Sequence, residues 1–162
     1  MNQIKLDSDQ IKLINLFNSI TRGIAKDVVI DKKFNRLIFV VNSGQMGLAL
    51  GKEGIFIKKL YEKIKQPIEL VEFDEQPEQF LKNILASDLS PEEYTSEFMV
   101  DEFCQQEADE KTVIKITVSP SKKGRLIGRE GRHAERARLL MKKYFNIVRI
   151  KIEAPDESTL KW

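Results

Sequence analysis

The sequence contains the same fourteen-residue pattern twice, and this repeat constrains the fold more than any other feature. Residues 41–54 align without gaps on residues 118–131. Glycines coincide at three of these positions, and each copy ends in Gly-x-x-Gly with a cation and a glutamate between the glycines. Because chance rarely matches three glycines together with their flanking chemistry, we expect the chain to consist of two similar halves.

In the first half, apolar residues at helical spacing before the repeat predict a helix with Asp7 or Ser8 as its N-cap. Two β-rich segments follow, residues 28–30 and 37–41, separated by a polar turn. A second helix is predicted after the repeat, and it ends before Pro67 and a strand at residues 68–73. The residues expected to form the apolar faces of these helices are Leu13, Leu16, Phe17, Ile20, Ile24, Ile57, Leu60, Tyr61 and Ile64.

The second half has the same order of elements. Pro77 and Glu78 open a helix, and strands are predicted near residues 97–103 and 112–118, with a polar turn at 108–110 between them. A helix after the repeat and a strand at 147–152 complete the half. The residues expected to face the core are Phe80, Leu81, Ile84, Leu85, Ile114, Ile116, Val118, Ala134, Ala137, Met141 and Tyr144.

The predicted fold class is therefore α+β, with helices packed on one face of a three-stranded sheet in each half. We expect two domains, residues 1–74 and 75–162, joined by a very short linker. A half of this size is near the lower limit for independent folding, so the two domains are expected to pack closely together.

Charge is distributed unevenly along the chain. Residues 69–110 contain 14 acidic residues and one basic residue, whereas residues 122–143 contain nine basic residues and two acidic ones. The net charge of +2 conceals this contrast. A concentrated cationic block attracts polyanions, although such a block is also common as an ordinary solvated helix face. The acidic stretch is interpreted as solvating surface.

Composition excludes several kinds of catalysis. The single cysteine, Cys104, excludes an internal disulfide and a multi-cysteine zinc site, and the single histidine, His133, removes the usual basis of metal ligation and of nucleophilic triads. We therefore expect no enzyme activity, no metal and no cofactor. The chain has no apolar run long enough to cross a bilayer and no secretory signal at Met1, so a cytoplasmic, membrane-free protein is expected.

The two Gly-x-x-Gly segments, residues 51–54 and 128–131, are predicted at matching junctions between helices. Paired glycines leave the backbone uncovered, and the N-terminus of the next helix favours phosphate. A lone segment of this kind is more often a tight turn, and residues 44–47 are interpreted as one. Two matched cationic copies favour a site for the phosphates of a single strand, with the bases in a neighbouring apolar groove.

A nucleotide-binding P-loop is the competing interpretation of the first copy. Only three residues separate Gly47 from Gly51, where the P-loop pattern has four. Glu53 also stands where a serine or threonine would hold magnesium. Nucleotide triphosphatase chemistry is therefore excluded.

On these residues and this order of elements, the chain resembles a tandem of type II K-homology (KH) domains, and more narrowly the archaeal NusA-like transcription factors. The resemblance covers approximately residues 8–154. It implies single-stranded RNA binding and a role in transcription termination or elongation control, with RNA polymerase or the transcription machinery as a further candidate partner. The positions to which it carries RNA binding are Gly51, Lys52, Glu53, Gly54, Gly128, Arg129, Glu130 and Gly131.

Cations on both sides of the second loop are further candidates for an RNA phosphate track. They are Lys122, Lys123, Arg125, Arg132 and Arg136, and the alternative is that they are ordinary helix-surface charges. His133 and Phe56 follow the two loops and could contact bases. His133 is expected to be a polar surface residue of its helix rather than a residue that stacks on a base. Phe56 is equally consistent with the core and with the groove. The first loop is less cationic, so the second half is expected to dominate salt-dependent affinity.

Two further functions remain open at the level of sequence. One is a ribosome-assembly or RNA-processing factor that uses the same KH surface. The other is a protein–protein adaptor that docks a basic partner through the acidic stretch at residues 69–110. A monomer is expected in each case.

Overall fold

The computed structural model describes residues 6–100 and 112–155. The chain divides into two compact units between Gln76 and Pro77, two residues beyond the boundary expected from the sequence. We refer to these as the first unit and the second unit.

The first unit begins with a helix whose start is set by its N-cap. The Asp7 carboxylate accepts the backbone N–H of Gln10 at 2.9 Å, and the Gln10 side chain accepts the backbone N–H of Asp7, which completes a capping box. The elements in order are α1 (Ser8–Ile20), β1 (Ala25–Asp31), β2 (Arg36–Val41), α2 (Met46–Leu50), a 3₁₀ turn (Lys52–Gly54), α3 (Ile55–Ile64) and β3 (Ile68–Glu72).

Among its described residues, the second unit repeats this succession with one additional 3₁₀ turn. The elements are α4 (Pro77–Leu85), a 3₁₀ turn (Pro91–Glu93), β4 (Tyr94–Val100), β5 (Thr112–Val118), α5 (Pro120–Ile127), a 3₁₀ turn (Arg129–Gly131), α6 (Arg132–Phe145) and β6 (Ile147–Glu153). The end of the predicted strand at 101–103, the turn at 108–110 and Cys104 lie outside the described residues.

Each unit contains a three-stranded mixed sheet of the same topology. In the first unit β2 lies between β1, which is antiparallel to it, and β3, which is parallel. In the second unit β5 has the same relation to β4 and β6. The α+β class is confirmed. A parallel pair needs a crossover connection, and in each unit the two helices and the glycine loop between them form that crossover.

The helices cover the sheets with the apolar faces that their periodicity indicates, and two positions differ. Phe17 and Leu60 are fully buried in the first unit, and Phe80, Leu81, Ile84 and Leu85 are buried in the second. Ile24 lies beyond the end of α1 and is 52% exposed, while Tyr61 is 50% exposed on the outer side of α3. The assignment of Ile24 to the first helix was therefore wrong, and Tyr61 lies on the predicted helix without being buried.

The turn between β1 and β2 contains a buried ion-pair cluster. The Arg36 side chain is almost fully buried and donates to Asp31 at 2.7 Å and to Glu69 at 3.1 Å. Asp31 also accepts the backbone N–H of Lys33 at 3.1 Å. The cluster thus ties β1, β2 and β3 together at one end of the first sheet.

Within residues 6–100 and 112–155, no helix is long and apolar enough to span a membrane, and no group of three or more histidine, cysteine, aspartate or glutamate residues is placed to hold a metal ion.

Candidate functional site

The two glycine-edged loops adopt nearly the same backbone conformation. Gly51 has φ 70° and ψ −177°, and Gly128 has φ 77° and ψ 174°. The third residue of each loop is left-handed although it is not glycine, with φ 58° at Glu53 and 57° at Glu130. The matched sequences therefore produce one local structure twice.

The first glycine of each loop is required by both conformation and packing. Its φ and ψ fall in a region that is essentially restricted to glycine. A Cβ atom at Gly128 would lie 2.6 Å from the ring of His133, and one at Gly51 would lie 2.5 Å from the ring of Phe56. His133 and Phe56 thus occupy equivalent positions, where each ring packs against the first glycine of its loop.

The second glycine of each loop leaves the backbone open. A Cβ at Gly54 or Gly131 would meet no atom of the described residues within 4 Å. These glycines are the N-caps of α3 and α6, and because glycine has no side chain, neither helix start has a side-chain cap. The dipole of each helix therefore points its positive end at an uncovered stretch of backbone, which is a favourable place for an anion.

The middle residues of both loops are exposed to solvent. Lys52, Glu53, Arg129 and Glu130 all have exposed side chains, and the four loop glycines are partly exposed. Each loop is therefore open at its two middle residues and at its second glycine, whereas its first glycine lies against a ring of its own unit.

The two glycines of the second loop should respond differently to substitution by alanine. Gly128→Ala is expected to destabilise the second unit by about 2–3 kcal/mol, since the new Cβ meets the His133 ring in a strained backbone region. Gly131→Ala is expected to cost about 1 kcal/mol, because the left-handed conformation is the only penalty there. Urea denaturation of both variants measures the difference, and equal losses would contradict the assigned role of the His133 ring.

In each unit a groove lies between the helix that follows the loop and the last strand of the sheet, and in the second unit Gly131 of the loop itself lines it. In the first unit it has a volume of about 470 Å³ and is lined by Ile57, Lys58, Tyr61, Glu62 and Ile68. In the second unit it is smaller, about 210 Å³, and is lined by Gly131, Ala134, Glu135, Arg138, Val148, Arg149, Ile150 and Ile152. Tyr61 and Arg138 stand at equivalent positions, so the first groove offers an aromatic ring where the second offers a guanidinium group.

Two of the cations expected along the second loop are paired with Glu93. Arg125 donates to both carboxylate oxygens of Glu93 at 2.9 and 3.0 Å, and the Lys122 ammonium lies 3.5 Å away. The backbone N–H of Ser90 also donates to Glu93 at 2.8 Å. The hydrogen bond from the Ser90 backbone, followed by the hydrogen bond and charge of Arg125 and the charge of Lys122, lowers the pKa of Glu93 to about 2, and desolvation of the carboxylate opposes this shift.

Arg136 is buried, and its assignment to the exposed phosphate track was wrong. It is 5% exposed and donates to the Ile84 carbonyl at 3.2 Å and to the Asp88 carboxylate. Asp88 also lies 3.3 Å from Nδ1 of His133, which donates to the Arg125 carbonyl at 2.8 Å. Arg136 and His133 therefore connect α6 to the end of α4 and to α5.

Several residues of the acidic stretch are partners of basic residues within their own unit. Glu69 pairs with Arg36, Asp88 with Arg136, and Glu93 with Arg125. The interpretation of the stretch as plain solvating surface was thus incomplete. The Ser-Pro-Glu-Glu pattern at residues 90–93 marks a capping box, but no sequence signal relates Glu93 to cations some thirty positions further on.

The KH class of α+β domains is defined by a mixed three-stranded sheet and by two crossover helices. A Gly-x-x-Gly loop joins these helices, and the start of the second helix is left open. The KH domain family model matches residues 14–74, so the first unit of this chain is a KH domain.

Comparisons over most of the chain find further relatives. The chain is 30% identical in sequence to the protein in the "Crystal structure of APE1850", and the two structures superpose with a TM-score of 0.76. The match covers 91% of this chain and all of the other, so this chain belongs to the same family as that protein. It is 29% identical to the "Probable transcription termination protein NusA" of Methanococcus vannielii over 94% of this chain and 81% of that one. The protein of the same name from Methanocaldococcus jannaschii is 25% identical, over 94% of this chain and 76% of that one.

Proposed function

We propose that this chain binds single-stranded RNA through its two glycine-edged loops and acts in the control of transcription, as the name of its archaeal relatives suggests. The observation that carries the proposal is the pair of open loops, each with a cation at its second position and an uncapped helix start behind it. Lys52 and Arg129 supply the positive charge, and the protein acts by binding, without catalysis or a cofactor.

The second unit acts, in this proposal, as a second KH domain. Its support is the repetition of the element order, of the sheet topology and of the loop dihedral angles. Between them the two units would offer two phosphate sites, each serving about four nucleotides.

The bases would turn into the groove of each unit. In the second unit Gly131 lines the groove, so a phosphate at its bare backbone would bring the attached nucleotides next to the wall formed by α6 and β6. The proposal extends the same arrangement to Gly54 and the groove between α3 and β3. Unpaired bases can enter such grooves, whereas the bases of a duplex are held in the stack, so single strands should be preferred.

A binding screen with short oligonucleotides tests the proposal directly. Fluorescence anisotropy would compare single-stranded RNA, single-stranded DNA and duplex RNA of equal length with the full chain. We expect single-stranded RNA to bind most tightly. Equal affinity for duplex RNA would contradict the groove model, and no binding to any of the three would contradict the proposed function.

Salt dependence separates the contributions of the two units. The logarithm of the binding constant should fall with the logarithm of salt concentration at a slope of about −0.7 per phosphate contact. Arg129→Gln, in the cationic block of residues 122–143, is expected to make this slope shallower by about 0.7. Tyr61→Leu is the matched comparison in the first groove, and it should weaken binding without changing the slope. An unchanged slope in Arg129→Gln would remove that residue from the phosphate track.

A further inference from the structure

Glu93 is placed so that its carboxylate neutralises cations next to the second loop. Its side chain is 22% exposed and contacts Arg125 and Lys122, whose side chains are 58% and 39% exposed. Arg125 is joined to the loop through its own carbonyl, which accepts from His133, and the His133 ring packs against Gly128. The carboxylate therefore acts on cations of α5, the helix that leads directly into the second loop.

The position of Glu93 is fixed by its own turn. Glu93 is the third residue of the 3₁₀ turn Pro91–Glu93, and its carboxylate returns to the backbone N–H of Ser90 in a capping box. Pro91 restricts the turn further, because its ring holds φ near the value that the turn needs. The carboxylate is thus held in place before any ligand arrives.

In the first unit, the residues that correspond to Glu93 and Arg125 are uncharged. The strand registers pair Ala25 with Val41 and Tyr94 with Val118, so Ile24 corresponds to Glu93. The repeat alignment makes Leu48 the counterpart of Arg125. Ile24 and Leu48 are 52% and 46% exposed. The ion pair is therefore a feature of the second unit alone and not a requirement of the shared fold.

We propose that Glu93 limits RNA affinity, because its carboxylate competes with an RNA phosphate for Arg125 and Lys122. The inference rests on the proposed function. A phosphate that approaches the second loop meets two cations whose charge is already partly compensated. To gain their full attraction, it must displace the carboxylate or share the cations with it. Binding at this loop is thereby kept weaker and more readily reversible than the number of nearby cations implies.

The variant Glu93→Gln tests the competition, because glutamine keeps an acceptor for the Ser90 N–H and removes the charge. We expect single-stranded RNA to bind about fivefold more tightly at about 50 mM salt, which is the effect of removing one charge near a phosphate in a watery environment. The gain should shrink as salt rises. Glu92→Gln is the matched control, since Glu92 is an exposed acid of the same turn and its change in net charge is identical. Its effect should remain below about twofold.

A double-mutant cycle with Arg125→Gln distinguishes competition from positioning. If Glu93 competes, Arg125→Gln should weaken RNA binding more in the Glu93→Gln background than in the wild type. If Glu93 instead orients Arg125 for RNA, Glu93→Gln alone will weaken binding, and the inference is overturned. Equal effects of Glu92→Gln and Glu93→Gln would also overturn it. If the wild-type chain does not bind RNA, the proposed function itself is overturned. If the wild type binds RNA and Glu93→Gln does not bind it more tightly, only the inference about Glu93 is overturned. Thermal melting by circular dichroism confirms that each variant is folded.

Discussion

RNA binding should be abolished when Lys52, Glu53, Arg129 and Glu130 are all replaced by aspartate, with both units still folded. The four side chains are exposed, so no packing is lost. Aspartate tolerates the left-handed conformation seen at Glu53 and Glu130 better than most residues do. Reversal of one cation at phosphate-contact distance changes the interaction by about 2 kcal/mol in a watery environment. Two reversals should therefore weaken binding by about a thousandfold.

The control must change the net charge equally at residues outside the loops. Lys32 and Lys33 are exposed in the turn between β1 and β2, and their replacement by aspartate lowers the net charge by four, as in the loop variant. Anisotropy titration with the same RNA compares the two proteins, and circular dichroism verifies folding. Similar losses in both would mean that long-range charge, and not the loops, holds the RNA. Full affinity in the folded loop variant would refute the mechanism.

Replacement of Arg36, the more deeply buried of the two buried arginines, should have the largest effect on stability. Arg36→Ala removes the partner of Asp31, a carboxylate that is only 4% exposed. An unpaired buried charge of this kind costs about 3–5 kcal/mol. Guanidinium denaturation, followed by far-ultraviolet circular dichroism, measures the loss. Since the cluster lies within the first unit, the unfolding of that unit should shift to lower denaturant concentration.

A second variant separates the charge effect from the loss of side-chain volume. Arg36→Met combined with Asp31→Asn removes both buried charges, and the asparagine oxygen still accepts the backbone N–H of Lys33. Glu69 is 26% exposed and can be solvated once the arginine is gone. We expect this double variant to recover most of the lost stability. If it is as unstable as Arg36→Ala, packing rather than charge pairing accounts for the role of Arg36.

Much of the fold could be predicted because its signals are local. The capping residues of α1, the alternation of Ile114, Ile116 and Val118 in β5, and Pro77 at the start of α4 act within a few positions of chain. The strong apolar faces of the helices were correctly assigned at Phe17, Leu60 and the buried face of α4. Ile24 was assigned to the face of α1 because its spacing continues the helical pattern past the true end of that helix at Ile20. Tyr61 lies at the edge of the amphipathic face of α3, where helical spacing alone does not indicate burial.

The sequence by itself determined the two similar halves and the positions of both glycine loops, because a matched local pattern indicates a repeated structural unit. Only the tertiary structure decided which of the cations near the second loop are engaged with acidic partners or buried. Arg136 is buried against the end of α4, and Arg125 and Lys122 meet Glu93 from a different part of the chain. Such partners are tens of residues apart in sequence. Their distance in space is set by how helices and strands pack, so the local charge pattern does not predict which charges will pair.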